Sequence, residues 1–134
     1  MTKYDVIVLT DHRYINDSDD TYKHNVFYED MLVVNALKAE DLKVDRKAWD
    51  DASFNWNSTK AIMFRTTWDY FDRFNEFSIW LTKVSKETTL FNSEQIIRWN
   101  IDKHYLQDID NKGIHIAKTH FIEQNTKISL QELH

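Results

Sequence analysis

The chain has 134 residues, 42% hydrophobic and 14% aromatic, with one Gly, no Pro, no Cys and a formal net charge of −5. That is one domain's length with enough apolar material for a core; it excludes a disulfide framework, a thiolate metal site and a Gly-rich phosphate loop, and the scattered Lys and Arg offer no stripe for nucleic acid. No stretch nears the roughly 18 apolar residues of a membrane span, and MTKYDVIVLT runs straight into a strand without a signal-peptide pattern, so the expected compartment is the cytoplasm.

Val6-Ile7-Val8-Leu9 is a continuous apolar run with β-branched residues, the pattern of a parallel strand buried on both faces. Residues 11–25 are polar and read as a long loop. A helix is predicted over residues 26–39, with Phe27, Met31, Val34 and Leu37 on one face. Leu42, Val44, Arg46 and Ala48 alternate with polar residues and predict a second strand, nearer a sheet edge. Ala61-Ile62-Met63-Phe64 is a second continuous apolar run and predicts another central strand.

After the segment RTTWDYFDRF, the residues Phe74, Phe77, Leu81 and Val84 recur at helical spacing, giving the clearest amphipathic helix in the chain. Leu90-Phe91 predict a short strand ending at Asn92. Ser93 is a candidate N-cap for a helix carrying Ile96 and Ile97, and Asn100 for a further helix that stops at Gly113. Ile114, Ile116 and Phe121 are expected to form a last strand.

Strands separated by crossovers of ten or more residues imply an α/β fold, a parallel sheet with helices on both faces in three layers. Such sheets bind ligands beyond the carboxyl ends of their strands. That rule selects Thr10 and Asp11, the residues from Arg65 to Tyr70, and Asn92. Within this set Arg65 can hold a carboxylate through two parallel hydrogen bonds, Thr66 and Thr67 add hydroxyls, and Trp68 and Tyr70 can wall the site. The competing reading pairs Arg65 with Asp69 and makes the aromatics a cap on the sheet. Lys103, near the start of a predicted helix, suits a phosphate contact; the simpler reading is a solvated surface lysine.

The remaining polar groups read as structural. The six histidines show no zinc-ligand spacing. Asp17, Asp19 and Asp20 lack the Gly and distant Glu of a calcium loop. Asp50 and Asp51 read as a surface turn, with Phe54 and Trp56 as a small aromatic cluster.

VDRKAWDD, FNW, FRTTWDYFDRFNEFSIWL and LFNSEQIIRWNIDKHYLQDIDNKGI together resemble the bacterial glutathione-synthetase-like ATP-grasp ligases, over Trp49 to about Ile122. The resemblance implies a Rossmann-like pre-ATP-grasp domain over residues 1–98, and the start of the ATP-binding domain over 99–134, with the Gly-rich lid and the magnesium ligands beyond His134. It implies an ATP-dependent carboxylate–amine ligase forming an amide or peptide bond through an acyl-phosphate. Lys103 would contact an ATP phosphate; Arg65, Thr66, Trp68, Asp69, Tyr70 and Asn92 would lie on the substrate side, with no catalytic residue assigned. ATP and Mg2+ would serve the full-length enzyme and are not expected to bind tightly to residues 1–134 alone. The implied partners are small-molecule carboxylate and amine substrates and the remaining ATP-grasp domain, not nucleic acid or membrane. Two other readings stay open: a non-catalytic, stand-alone α/β ligand-binding module, and a dimerisation module forming a homodimer through exposed aromatics such as Trp80 and Trp99.

Overall fold

In the computed structural model, which describes residues 2–123, 125–129 and 131, the chain divides into two compact units, Met1–Glu94 and Gln95–His134. The first unit holds four strands, β1 (Tyr4–Thr10), β2 (Val44–Ala48), β3 (Thr59–Thr66) and β4 (Thr89–Phe91), and two long helices, α1 (Thr21–Ala39) and α2 (Phe74–Val84). The strands form one sheet in the order β2-β1-β3-β4, and every pairing is parallel. The α/β expectation therefore holds.

The continuous apolar runs occupy the two central strands, as residues covered on both faces must. Ile7, Val8, Leu9 and Ile62 are fully buried. Side chains alternate across a strand, so the two faces are read separately. On one face Val8 and Val44 pack with Val34 of α1, and Val6, Met31, Leu37 and Leu42 border them. On the other, Phe64 of β3 meets Phe77 and Trp80 of α2, and Trp49 meets the same two rings. The helices thus cover opposite faces of the sheet.

Helix α1 starts at Thr21, five residues earlier than its apolar pattern suggests. The Asp20 carboxylate accepts from Lys23 N at 2.9 Å and caps it. The first turn, Thr21 to His24, carries no apolar periodicity, so only the cap marks it. The helix closes with Asp41 at φ +60, while Asp41 N and Leu42 N bond back to Lys38 O and Leu37 O. Its buried stripe includes Asp30, fully buried in the middle of the helix. Helix α2 matches its predicted span, and Phe77, Leu81 and Val84 are buried, whereas Phe74 stays 45% exposed.

In the second unit, α3 (Glu94–Asn100) follows directly on Ser93. The next helix, α4 (Tyr105–Asp110), is not capped by Asn100, which is the last residue of α3; instead Asp102 accepts from His104 N at 2.9 Å just ahead of it. At its far end Gly113 takes φ +78, with Gly113 N on Asp110 O and Ile114 N on Ile109 O, closing the helix where the sequence places its stop. The strand expected through Ile114, Ile116 and Phe121 does not form among the described residues. A strand needs a ladder partner, and the described part of this unit presents none. Phe121 stacks instead on the His104 ring, with centroids 4.7 Å apart.

Candidate functional site

The chain leaves β1 toward β2 on one side and leaves β3 toward β4 on the other. The connections diverge at the carboxyl ends of β1 and β3, the switch point where open α/β sheets bind ligands. Asp11 N donates to Thr66 O there at 3.0 Å.

A register shift marks the same place. Leu9 pairs with Phe64 but Thr10 pairs with Thr66, so Arg65 is an extra residue, a β-bulge. Strict alternation would put Arg65 and Thr66 on opposite faces. The bulge turns both toward α1, and both reach the Asp30 carboxylate. Thr66 Oγ1 lies 2.6 Å from Oδ2, and Arg65 Nε donates to Oδ1 at 3.3 Å.

Asp30 has a second cation. Arg46 of β2, 7% exposed, donates to Oδ2 from Nη2 at 2.7 Å and from Nε at 3.0 Å. Its Nη1 donates to Tyr14 O and Ile15 O, and Nη2 also meets Thr10 Oγ1 at 3.1 Å. Proton order follows from what each group can do. Arginine only donates and the carboxylate only accepts. Thr66 has one hydroxyl proton and gives it to Asp30, so the 2.7 Å contact between Thr10 and Thr66 is donated by Thr10. The ring Arg46–Thr10–Thr66–Asp30 is closed and every member is satisfied. Two guanidiniums face one carboxylate, which leaves one positive charge in excess. It sits on Arg65, whose side chain is 36% exposed and whose terminal nitrogens meet no partner among the described residues.

The α2 side carries the opposite sign. Asp69, 4% exposed, accepts from Trp49 Nε1 at 2.7 Å and from Arg73 Nη1 at 3.0 Å. Arg73 lies over the Trp49 ring and also binds Asp50 and Glu76. These carboxylates, Glu76 foremost and then Asp50, hold the Arg73 guanidinium more firmly protonated than usual. His12 Nδ1 stands 3.7 Å from Asp69 Oδ2.

The competing pair Arg65–Asp69 does not form: Arg65 lies on the α1 face and bonds Asp30, and Asp69 is taken by Trp49 and Arg73. Of the other sequence-selected residues, Trp68 is 40% exposed and edges onto Tyr14, while Tyr70 packs against Phe77. Asn92 is exposed just past β4, at the same end of the sheet. Lys103 belongs to the second unit; it is exposed, with Nζ 5.6 Å from the Tyr105 ring centroid. Trp80 is not on a surface patch, being packed among Trp49, Trp56, Phe64 and Phe77. Trp99 is 43% exposed and donates to Asp108.

Sequence reasoning passed over Asp30, Arg46, His12 and Arg73 as site residues. Two of them left a signal. Arg46 stands on the inward face of a strand between Val44 and Ala48, and Asp30 interrupts the apolar stripe of α1, so an inward acid and an inward base were each waiting for a partner.

A family model described as D-cycloserine synthetase DcsG, N-terminal domain, matches residues 6–92. The chain belongs to the DcsG N-terminal domain family. The cycloserine biosynthesis protein DcsG of Streptomyces lavendulae is 32% identical over 92 residues, which is 69% of this chain and 31% of that protein. The crystal structure of D-cycloserine synthetase DcsG shares the fold, with a TM-score of 0.69 and 24% identity over 81% of this chain and 33% of that one. The chain therefore spans about a third of the length of these relatives. The DcsG match runs from β1 to the end of β4 and includes both charged clusters; Lys103 lies outside it.

Proposed function

We propose that the chain is the substrate-side N-terminal part of a DcsG-like, ATP-dependent carboxylate–amine ligase. The observation that carries this reading is Arg65. The bulge lifts it out of the strand pattern, Asp30 holds its Nε, and its two terminal nitrogens remain for a ligand at the switch point of a DcsG-type domain. A guanidinium so held suits a carboxylate through paired hydrogen bonds. Trp68 supplies a partly exposed apolar surface, and Thr66, Asp69 and Tyr70 are assigned to the same substrate side. Asn92 is assigned to the same substrate side by its place beyond β4.

The resemblance to glutathione-synthetase-like ATP-grasp ligases supplies the rest: a carboxylate activated by ATP as an acyl-phosphate and then attacked by an amine, in a cytoplasmic enzyme. Lys103 is the residue of this chain assigned to an ATP phosphate; it is exposed, beside the Tyr105 ring. No group of three or more metal-ligating side chains occurs among the described residues, so no step is assigned to magnesium here. No helix among them is long and apolar enough to cross a membrane.

The test is ADP release by the full-length gene product, supplied with ATP, magnesium and pairs of carboxylates and amines. The name of the relatives makes D-cycloserine the first product to assay. ADP release that requires both a carboxylate and an amine supports the reading. Release that ignores both overturns it.

A further inference from the structure

A helix lying on a sheet ordinarily carries charge on the side away from the core. Helix α1 does not. Opposite its buried Val26, Asp30 and Val34 run Asn25, Tyr28, Leu32, Ala36 and Ala39, all exposed and none charged. Tyr28 and Leu32 are 55% and 52% exposed. The spacings are three, four, four and three, so the stripe reads alike in both directions about Leu32. Its N-terminal half carries the large ring and its C-terminal half the two alanines. Tyr28 is already held, since its ring stacks on His24 with centroids 6.3 Å apart, and His24 Nδ1 lies 2.7 Å from Asp17 Oδ1. A side chain ordered beforehand loses little freedom on docking.

The two ends of α1 carry opposite charge. Asp17 and Asp19 line a cleft with His24 at the start of the helix. Lys3, Lys38 and Lys43 line another at its end, where Asp41 is the acid. This pattern fits a second copy laid antiparallel. About a two-fold axis at Leu32, residues equally distant from it face one another. Leu32 then meets Leu32, the Tyr28 ring of each copy fits over Ala36 of the other, and Asn25 lies by Ala39. The acidic loop of each copy comes beside the lysine cleft of the other, and the helix dipoles oppose. A parallel pair would set Tyr28 on Tyr28 and acid beside acid. With a net charge of −5 on each copy, an uncharged stripe with complementary ends is a face on which two copies can approach.

We propose that the outer face of α1 is a homodimer interface, in which two copies of this chain pack antiparallel about Leu32. The proposal stands apart from the ligase reading, and it places self-association on α1 instead of on the exposed Trp99.

The chain has no cysteine, so a single introduced one reports which residues face each other. A disulfide needs Cα atoms within about 7 Å. Under mild air oxidation Leu32→Cys is expected to give a disulfide-linked dimer. Tyr22→Cys, at a position 60% exposed on the same helix but about 15 Å along it, is expected to stay monomeric. Sedimentation equilibrium of the 134-residue chain is expected to show monomer and dimer in exchange. Leu32→Glu is expected to weaken the dimer about a hundredfold, because two apolar contacts are lost and two carboxylates meet on the axis. Asp19→Lys and Lys43→Glu are each expected to weaken it about tenfold, the first in spite of lowering the net charge, and the double variant to restore it. A chain that stays monomeric up to about 1 mM overturns the proposal. Equal cross-linking at positions 32 and 22 does so too, as does a dimer that survives Leu32→Glu. A double charge variant no tighter than the singles overturns the antiparallel register and the proposal with it.

Discussion

The Thr66 hydroxyl lies 2.6 Å from Asp30 Oδ2, tying the carboxyl end of β3 to the middle of α1, 36 residues away. Arg46 brings β2 to the same carboxylate, and Thr10 joins β1 to the network through Thr66 and Arg46. Three strands and a helix are thus registered by one buried acid at the end of the sheet where the site lies. Burying ions is costly, and a pair of this kind is weak as a source of stability. What it fixes here is geometry, because each donor and acceptor in the ring has one partner arrangement.

Removing the charge of Asp30 strands Arg46 in the core. Asp30→Asn is expected to cost about 3 kcal/mol in unfolding by urea, the scale of a broken buried ion pair. Replacing both members by apolar residues, Asp30→Leu with Arg46→Met, is expected to recover much of that loss, since no charge is then left unpaired. If the double variant is no more stable than Asp30→Asn, the cost lies in the hydrogen bonds of Thr10 and Thr66 rather than in the stranded guanidinium.

Arg65 is expected to matter for ligand and little for fold. Among the described residues its only partner is the Asp30 carboxylate, 3.3 Å away, which Arg46 already neutralises. Arg65→Met in the full-length protein is expected to keep the unfolding midpoint and raise the KM for the carboxylate about tenfold or more. Arg65→Lys is expected to rescue poorly, because an ammonium cannot make the paired contact. Equal activity of Arg65→Met and wild type would remove Arg65 from the site.

Trp49 and Trp80 are neighbours, with ring centroids 5.7 Å apart, yet their indole nitrogens differ. Trp49 Nε1 donates to Asp69, whereas Trp80 Nε1 is buried with no partner among the described residues. Trp49→Phe leaves a buried carboxylate short of a donor and is expected to cost about 2 kcal/mol beyond the lost packing. Trp80→Phe removes an unsatisfied donor, so the smaller ring's packing loss is offset and the thermal midpoint is expected to fall far less. Thermal unfolding of the two single variants compares them directly.

Lys103→Ala in the full-length protein is expected to abolish ligand-dependent ADP release with the circular dichroism spectrum unchanged, because among the described residues the exposed side chain meets only the Tyr105 ring. Unchanged activity would make it the solvated surface lysine of the simpler sequence reading.

The second unit has its own pH signature. Asp102 accepts from His104 N and lies 2.6 Å from its ring Nδ1; the first of these contacts chiefly lowers the carboxyl pKa, and the second raises that of the imidazole. The carboxylate's contribution is present above about pH 4 and is lost as pH falls through its lowered folded value. The imidazolium's contribution is complete below about pH 6.5 and is lost as pH rises through its raised folded value. Folding of this unit is therefore expected to gain most from the pair between those limits. Proton NMR should show His104 titrating above the ordinary histidine range in the wild type and returning to it in Asp102→Asn.

The sequence by itself determined the elements and their class. Apolar runs such as Ile7-Val8-Leu9 admit only strands covered on both faces, and the spacing of Phe77, Leu81 and Val84 admits only a helix with one buried side, because each periodicity has one geometry that removes its apolar atoms from water. It also pointed to the carboxyl end of the sheet, since connection length alone makes the strands parallel. Only the tertiary structure decided which polar groups meet. The bulge at Arg65 is one residue of slack against β1, invisible without the partner strand, and it reverses the face that alternation assigns to Thr66. The meeting of Asp30, Arg46, Thr10 and Thr66 joins residues 16 to 56 positions apart, and the nearness of His12 to Asp69 depends on two loops landing side by side. A strand through Ile114 and Ile116 failed for the same reason: apolar spacing proposes a strand, but a ladder partner has to be there to form it.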